Sequence, residues 1–245
     1  MILLEGVGKS YEGRVVLAPT SLSVGAAERL AIVGPSGCGK STLLRTIIGI
    51  VTPDTGDVMV GGQRLTPSSV NAIRLRIGYV IQDGGLFPHL TNADNVTLLA
   101  RRRGRPAADI ATRMKDLADL VHVDGALLSR YPLQASGGER QRVGLMRALM
   151  LDPDVLLLDE PMAALDPMVR ARLQDDLLDV VRRLAKCVVL VTHDMAEAAM
   201  FGERIAVMRA GHIVQQGALR DLIDTPADPF VVEFMRAQRG LERFA

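Results

Sequence analysis

The sequence predicts an α/β fold with a mostly parallel sheet, an N-terminal antiparallel β part and an inserted α-helical region. Three short apolar runs, at residues 29–33, 155–158 and 187–191, each end in a polar or glycine-rich turn and precede a helical pattern. This alternation is typical of buried parallel strands joined by helices. In the first 30 residues and in residues 56–63, glycines interrupt short segments in which apolar and polar residues partly alternate. This pattern favours antiparallel hairpins at the edge of the sheet.

Two helical patterns complete the predicted fold. No convincing strand lies between about residues 88 and 134, and residues 107–121 carry a helical stripe of Ile110, Met114, Leu117 and Val121. We therefore expect a helical insertion between parts of the core. Further along, Asp166 and Pro167 suit the N-cap and the first position of another helix.

The bulk composition excludes several classes of protein. The 29 basic and 28 acidic residues leave a net charge of +1, so no nucleic-acid partner is indicated. With 3% aromatics and no Trp, stacking platforms for single strands are not expected. No apolar run approaches the ~18 residues of a transmembrane helix, and the N-terminus does not resemble a signal peptide. Two cysteines, Cys38 and Cys187, make no disulfide framework, which fits a reducing cytoplasm.

A glycine-rich loop follows the first apolar run and precedes a helical pattern at residues 42–50. It matches the pattern G-x-x-x-x-G-K-[ST], whose glycines let backbone N–H groups converge on phosphate oxygens. The lysine adds charge at the β- and γ-phosphates, the serine hydroxyl can ligate Mg²⁺, and the helix N-terminus favours anions. A glycine-rich turn with a surface lysine is the alternative, which the strand and helix flanks disfavour. The sequence therefore predicts a P-loop NTPase core that binds ATP and Mg²⁺ through Gly34, Pro35, Ser36, Gly37, Cys38, Gly39, Lys40, Ser41 and Thr42.

Two acids end the apolar run at residues 155–158. An acid at the carboxyl end of a buried strand lies where ligands bind in an open α/β sheet. We expect Asp159 to hold Mg²⁺ through its water shell and Glu160 to orient or deprotonate the attacking water. Two solvated acids in a turn are the alternative, which carries little weight beside a phosphate loop.

A third motif, Ser136, Gly137, Gly138 and Glu139, precedes a long helical pattern at residues 140–151. Its S-x-x-E spacing is that of a capping box, which would explain the motif structurally. A serine hydroxyl, two glycine amides and a helix N-terminus also favour phosphate, so a second anion site is the functional alternative. The motif by itself leaves both interpretations open.

With these motifs in order, followed by Leu165-Asp166 and His193, the whole chain resembles the ATP-binding subunit of an ATP-binding cassette (ABC) transporter. The resemblance implies ATP hydrolysis by two cassettes that close head to tail. It further implies that residues 136–139 of one chain, the signature motif, cover the γ-phosphate held by the other.

The resemblance also implies roles for four more residues. Tyr11 resembles the aromatic that stacks on adenine, with a plain surface aromatic as the alternative. Gln82, at the end of the strand-like residues 77–81, resembles the residue that touches Mg²⁺ and senses the transporter. Asp166 resembles the acid that contacts the partner cassette, and His193 the switch residue on the γ-phosphate.

The family pattern implies that residues 1–245 form a single ABC ATPase domain, which has two parts. Residues 1–87 and 152–245 correspond to the nucleotide-binding core with its antiparallel β part, and residues 88–151 to a helical subdomain with the signature motif. Two positions depart from the pattern, because Ala135 stands where Leu is usual and Glu139 where Gln is usual. We expect altered tuning of the signature motif from these changes, with activity retained.

Softer similarities indicate the kind of cassette. Residues 77–91, and the stretches that begin at Ala164 and Arg172, resemble ATP-binding subunits of bacterial importers for quaternary amines such as glycine betaine, choline and carnitine. The resemblance implies a homodimer on ATP binding, separate transmembrane permease subunits and an extracytoplasmic solute-binding protein. It places the chain on the cytoplasmic face of the inner membrane. Importer ATPases for amino acids or polyamines share parts of these stretches.

A soluble ABC ATPase of DNA repair or translation is the rival from another class. The repair types carry a long coiled coil and the translation types two cassettes, whereas this sequence shows neither sustained heptads nor a second phosphate loop. A basic cluster at residues 101–105, Arg-Arg-Arg-Gly-Arg, is expected to lie in a solvated loop. Lipid headgroups or the membrane partner are the alternatives for it.

Overall fold

A computed structural model describes residues 1–82, 84–163 and 165–238 of the chain. Its strands are β1 (Ile2–Tyr11), β2 (Arg14–Val24), β3 (Arg29–Val33), β4 (Thr55–Val60), β5 (Gln63–Arg64), β6 (Ile77–Val80), β7 (Val155–Asp159), β8 (Cys187–Thr192), β9 (Arg204–Arg209) and β10 (His212–Gly217). Its helices are α1 (Lys40–Ile47), α2 (Val70–Arg74), α3 (Asn92–Arg102), α4 (Ala107–Leu120), α5 (Gly125–Ser129), α6 (Gly137–Leu149), α7 (Pro167–Leu184), α8 (Met195–Phe201), α9 (Leu219–Asp224) and α10 (Pro229–Gln238). Asp83 and Ala164, which belong to the stretches compared with quaternary-amine importers, lie outside the described residues.

The chain divides into two compact units, one of residues 1–74 and 187–245 and the other of residues 75–186. The first unit contains an antiparallel sheet, in which β1 pairs with β2 and β4, and β4 with β5. It also contains a parallel group, in which β3 lies between β8 and β9, with β10 antiparallel beside β9. The predicted α/β fold with parallel strands and an antiparallel N-terminal part is confirmed.

The burial of the strands follows from their sequences. β3 and β8 are almost wholly apolar and almost wholly buried, as expected for strands covered on both faces. In β2, by contrast, buried and exposed residues alternate over its second half, which is typical of a strand with one face in the core. A hydrophobic core behind β3 and β9 is closed by residues of α8, α9 and α10, among them Met195, Leu222 and Phe234.

The second unit joins one parallel strand pair to a group of helices. β6 pairs with β7, with Val80 beside Leu158. Residues 88–134 contain no strand, as predicted. In α4, Ile110 and Leu117 are buried, and Val121 just beyond it is buried as well, so the predicted apolar stripe of this helix faces the interior.

Two helices begin earlier than the sequence pattern suggests. α1 was expected at residues 42–50 and instead begins at Lys40. It also ends earlier, at Ile47, because Gly49 adopts a φ of +71° and turns the chain out of the helix. α6 begins at Gly137 and ends at Leu149, where residues 140–151 were expected, because Ser136 occupies its N-cap.

Candidate nucleotide-binding site

The phosphate loop of the first unit runs from the end of β3 to the start of α1 and passes close to two other backbone segments. A Cβ atom on Gly34 would lie 2.2 Å from the backbone oxygen of Met208 in β9, and one on Gly39 would lie 2.6 Å from that of Val16 in β2. Gly39 also has a φ of +107°, a conformation that disfavours side chains. Both positions therefore require glycine.

The side chain of Lys40 lies folded over this loop. Only 4% of the residue is exposed, and its Nζ donates hydrogen bonds to the carbonyls of Gly34 at 2.8 Å and Pro35 at 3.1 Å. Gly39 precedes α1 and has no side chain to cap it, and a helix N-terminus favours anions. The loop thus combines a fixed ammonium group with a helix N-terminus, the arrangement that binds phosphate.

A cavity of about 660 Å³ adjoins the phosphate loop in the same unit. It is lined by Tyr11, Glu12, Arg14, Val15, Val16, Gly37, Ala210 and Gly211. The Nζ of Lys9 lies 5.4 Å from the centroid of the Tyr11 ring, which restricts one face of the ring. The structure therefore brings Tyr11 beside the phosphate loop, across a space in which a base and ribose could lie.

His193 lies at the same sheet edge as the phosphate loop. β3 and β8 are parallel neighbours, and their last paired residues are Val33 and Thr192. Gly34 and His193 come directly after this pair. The Thr192 hydroxyl donates to the Glu197 carboxylate at 2.6 Å, and the backbone N–H of Asp194 donates to the Thr192 hydroxyl at 3.0 Å. These bonds hold the end of β8, from which the exposed His193 projects.

In the second unit, the predicted acids and Gln82 share one strand edge. Gln82 and Glu160 each lie two residues beyond the register pair of Val80 and Leu158. Asp159 is buried, and its Oδ2 accepts a hydrogen bond from the Tyr79 hydroxyl at 2.9 Å. Tyr79 was not predicted from the sequence. Its only signal is a polar-tipped aromatic in an apolar strand.

Glu160 has an unusual backbone. Its φ of +47° lies in the left-handed region, and its carbonyl accepts a hydrogen bond from the N–H of Ala163 at 3.2 Å. A residue other than glycine in this conformation costs roughly 1–3 kcal/mol, and such residues concentrate at functional sites. The turn therefore directs Glu160 away from the strand path at an energetic cost.

The signature motif forms the capping box that its spacing predicts. Ser136 Oγ accepts a hydrogen bond from the Glu139 N–H at 3.3 Å, and Glu139 Oε2 accepts one from the Ser136 N–H at 2.7 Å. The hydrogen bond from the Ser136 backbone N–H, followed by that from the Ser136 side chain, holds the pKa of the Glu139 carboxyl below its ordinary value. The unusual carboxylate is therefore held at the cap.

The two signature glycines lie against the beginning of α7. A Cβ atom on Gly137 would lie 2.8 Å from the Leu165 side chain, and one on Gly138 would lie 2.8 Å from that of Val169. Asp166 caps the same helix, because its Oδ1 accepts from the N–H groups of Met168 and Val169 at 3.1 Å each. The predicted N-cap is thus confirmed, and it keeps α7 in contact with the signature motif.

Helix α6 also holds the loop that carries Gln82. The side chains that make these contacts were not predicted from the sequence. The Gln141 side chain donates to the Gln82 carbonyl at 3.0 Å. The Arg147 guanidinium donates to the carbonyls of Gly84 and Gly85 at 2.9 and 2.7 Å. A Cβ atom on Gly144, between these two residues, would lie 3.2 Å from the Cα of Gly84. One stripe of α6 therefore fits the backbone of Gln82, Gly84 and Gly85.

A phosphate loop of this geometry on parallel strands defines a P-loop nucleotide-binding protein. The model of the family described as "ABC transporter" matches residues 17–163, and the chain belongs to that family. A choline transport ATP-binding protein, OpuBA of Bacillus subtilis, is 38% identical over 99% of this chain and 64% of its own length. An Fe(3+) ions import ATP-binding protein, FbpC 1 of Rhodococcus jostii, is 43% identical over 95% of this chain and 66% of its own length.

This chain thus spans less than two thirds of the length of these curated relatives. Among solved structures, it is similar to a dimeric post-hydrolysis state of the ATP-binding cassette MJ0796 bound to ADP and Pi. The TM-score is 0.81 and the identity 31%, over 90% of this chain and 99% of that one. Within the described residues, no helix has both the length and the apolar character that crossing a membrane requires.

Proposed function

We propose that this chain is the ATP-hydrolysing subunit of a membrane importer. The observation that carries the proposal is the phosphate loop, in which Lys40 is buried and bonded to the loop carbonyls at the N-terminus of α1. Membership of the ABC transporter family supports ATP as the nucleotide. Tyr11 stacks on adenine in this proposal, and residues 34–42 hold the phosphates.

In the proposed hydrolysis, each group has its own role toward ATP. Glu160 orients and deprotonates the attacking water, and His193 contacts the γ-phosphate. Ser41, Gln82 and Asp159 would hold Mg²⁺, and their hydroxyl, amide and carboxylate oxygens are the hard donors that this ion prefers. When bound, Mg²⁺ neutralises charge on the phosphates.

A second copy of the chain completes the site in this proposal. The signature motif of one copy, Ser136 to Glu139, covers the γ-phosphate held by the other, and Asp166 meets the partner chain. Large apolar side chains near the motif support an interface, since Leu133 is 83% exposed and Met168 is 74% exposed. Exposed apolar surface of this kind is typical of interaction sites. The similarity to a dimeric cassette structure points the same way.

The assembly and substrate are inferred from the relatives and the motifs. Residues 88–151 form the helical subdomain. Separate permease subunits and an extracytoplasmic solute-binding protein complete the importer, and this chain lies at the cytoplasmic face of the inner membrane. A quaternary amine is the proposed solute, because of the stretches at residues 77–91 and the choline transport relative. The comparable identity to an iron import protein makes Fe³⁺ the competing solute.

Replacing Glu160 by Gln tests the proposed hydrolysis. Loss of a general base typically lowers turnover by about 10²–10⁴-fold, and we expect that loss with ATP binding retained. Phosphate release and equilibrium binding of ATP measure the two quantities separately. The control is Glu233→Gln, an exposed glutamate of α10, which should hydrolyse ATP at the wild-type rate. Near-normal turnover of Glu160→Gln would refute the assignment.

A further inference from the structure

The outer side of α3 ends in a patch of leucines and arginines that the proposed hydrolysis does not use. Leu98 is 42% exposed and Leu99 is 44% exposed, and both precede Arg101, Arg102, Arg103 and Arg105, all of which are exposed. Residues three and four apart are neighbours on a helix, so Leu98 lies beside Arg102, and Leu99 lies beside Arg103. We call these six residues the Leu-Arg patch.

The charge of this patch is largely uncompensated. Arg101 donates to the carboxylate of Asp94 at 2.8 Å in an exposed ion pair. Among the described residues, no ion pair involves Arg102, Arg103 or Arg105. Within the described part of the chain, the Arg105 side chain makes one hydrogen bond, a long one to the Leu151 carbonyl at 3.5 Å. Because the chain as a whole carries a net charge of +1, four arginines in five residues are a strong local excess.

The fold by itself explains only part of the patch. Cations in the last turn of a helix interact favourably with its dipole, which accounts for Arg101 and Arg102. That effect falls off beyond the last turn, so it does not account for Arg105. It also does not account for two adjacent leucines left in water beside the arginines.

We propose that the Leu-Arg patch binds anionic phospholipid headgroups of a membrane. Guanidinium groups are suited to phosphate because they present a planar fork of N–H donors. Clusters of basic residues beside apolar side chains on a helix favour anionic membrane surfaces, where the leucines enter the boundary between headgroups and acyl chains. The contact would hold the chain at the membrane surface independently of ATP hydrolysis.

Vesicle binding by the purified chain tests this proposal. The vesicles contain phosphatidylcholine alone or a mixture with phosphatidylglycerol, and sedimentation measures the bound fraction at low and high salt. We expect binding only to the anionic vesicles and its loss at high salt, since surface charges are screened beyond about 8 Å at physiological ionic strength. Each basic residue near an anionic surface contributes roughly fivefold to binding. Arg102→Ala/Arg103→Ala should therefore weaken it by about 10–30-fold.

A matched control lies at the end of another helix. Arg182 and Arg183 form an exposed arginine pair in the last turn of α7, and their replacement by Ala should change vesicle binding less than about twofold. Leu98→Ser/Leu99→Ser should weaken binding at constant charge. ATP binding and thermal unfolding confirm that each variant is folded.

Three results would overturn the proposal. The first is equal binding to neutral and anionic vesicles. The second is an equal loss in the Arg182/Arg183 variant, which would indicate an unspecific charge effect. The third is the absence of binding to either kind of vesicle, which would assign the patch to a protein partner. Inorganic phosphate at millimolar concentration should not displace the chain, and displacement by it would indicate a site for free phosphate.

Discussion

At the scale of single residues, the contact between Tyr79 and Asp159 adds a group to the site that no motif contains. Tyr79 pairs with Leu157 across β6 and β7, and Asp159 lies two residues further along the same strand, so both side chains face the same side. The Tyr79 hydroxyl therefore reaches the buried carboxylate at 2.9 Å. A hydrogen bond to a charged group fixes its position and is roughly twice as strong as a neutral one.

We expect Tyr79→Phe to weaken binding of Mg²⁺ in the presence of ATP by about 3–10-fold. The reason is that a hydrogen bond to a charged group contributes about 1.5–3 kcal/mol, part of which water would replace. Calorimetric titration with Mg²⁺ measures the change directly, and ATP binding without Mg²⁺ should stay constant. Thr112→Val removes an exposed hydroxyl of α4 and serves as the control. An unchanged Mg²⁺ affinity would show that Tyr79 does not position Asp159.

At the scale of elements, α6 connects two predicted functional segments within one unit. Its N-terminus carries the signature motif as a capping box, and its side chains hold the backbone of the loop after β6 through Gln141 and Arg147. A helix is stiff over this length because each turn is hydrogen-bonded to the next. A displacement of Gln82, Gly84 and Gly85 would therefore move the N-terminus of α6, where Ser136 lies.

The capping box predicts how the stability of α6 depends on pH. The folded pKa of Glu139 lies below its ordinary value because the carboxylate accepts the Ser136 N–H. The ionised form therefore stabilises the fold at pH values above the unfolded pKa of about 4.3. This contribution is lost as the pH falls through the lower, folded pKa.

We accordingly expect Glu139→Gln to unfold more easily than the wild type by about 0.5 kcal/mol near neutral pH, the range of an exposed cap. The difference should shrink as the pH falls below about 4, where the wild-type carboxyl is protonated. Urea unfolding across this pH range gives both values, and Glu233→Gln controls for loss of charge alone. A difference that does not vary with pH would contradict the assigned bond.

At the scale of the whole molecule, the exposed residues around the signature motif indicate a site shared between copies. Tyr131, Leu133 and Met168 are exposed large apolar residues near Ser136 in sequence or in the adjoining start of α7. A lone chain would leave this surface in water. In a dimer with a two-fold axis, each of the two copies would bury this surface against its partner.

Mixing two inactive variants tests the shared site. Lys40→Ala removes the phosphate contact, and Ser136→Ala removes the predicted contribution to the partner, so each variant alone should be inactive. When mixed in equal amounts, half the dimers would be mixed and carry one intact site of two. Hydrolysis should therefore recover to about a quarter of the wild-type rate if sites act independently. No recovery, under conditions where cross-linking detects mixed dimers, would argue against a shared site.

The sequence by itself determined the elements whose signals are local. The apolar runs of β3, β7 and β8 are short and flanked by turns, and the phosphate loop, Asp159 and Ser136 follow from fixed spacings within a few residues. The cap of α7 by Asp166 was predictable for the same reason, since a cap bonds only to the next turn. The family could be identified because several such local motifs occur in one order along the chain.

The tertiary structure alone decided what depends on residues far apart in the chain. Tyr79 meets Asp159 because β6 and β7 pair across a separation of 80 residues, and no local pattern contains that distance. Gly34 requires the absence of a side chain because Met208 comes within reach of its Cα. Gln141 and Arg147 lie on the stripe of α6 that contacts Gln82, Gly84 and Gly85. The physical reason is common to all three. Local patterns select the elements, whereas strand pairing and packing select which side chains meet.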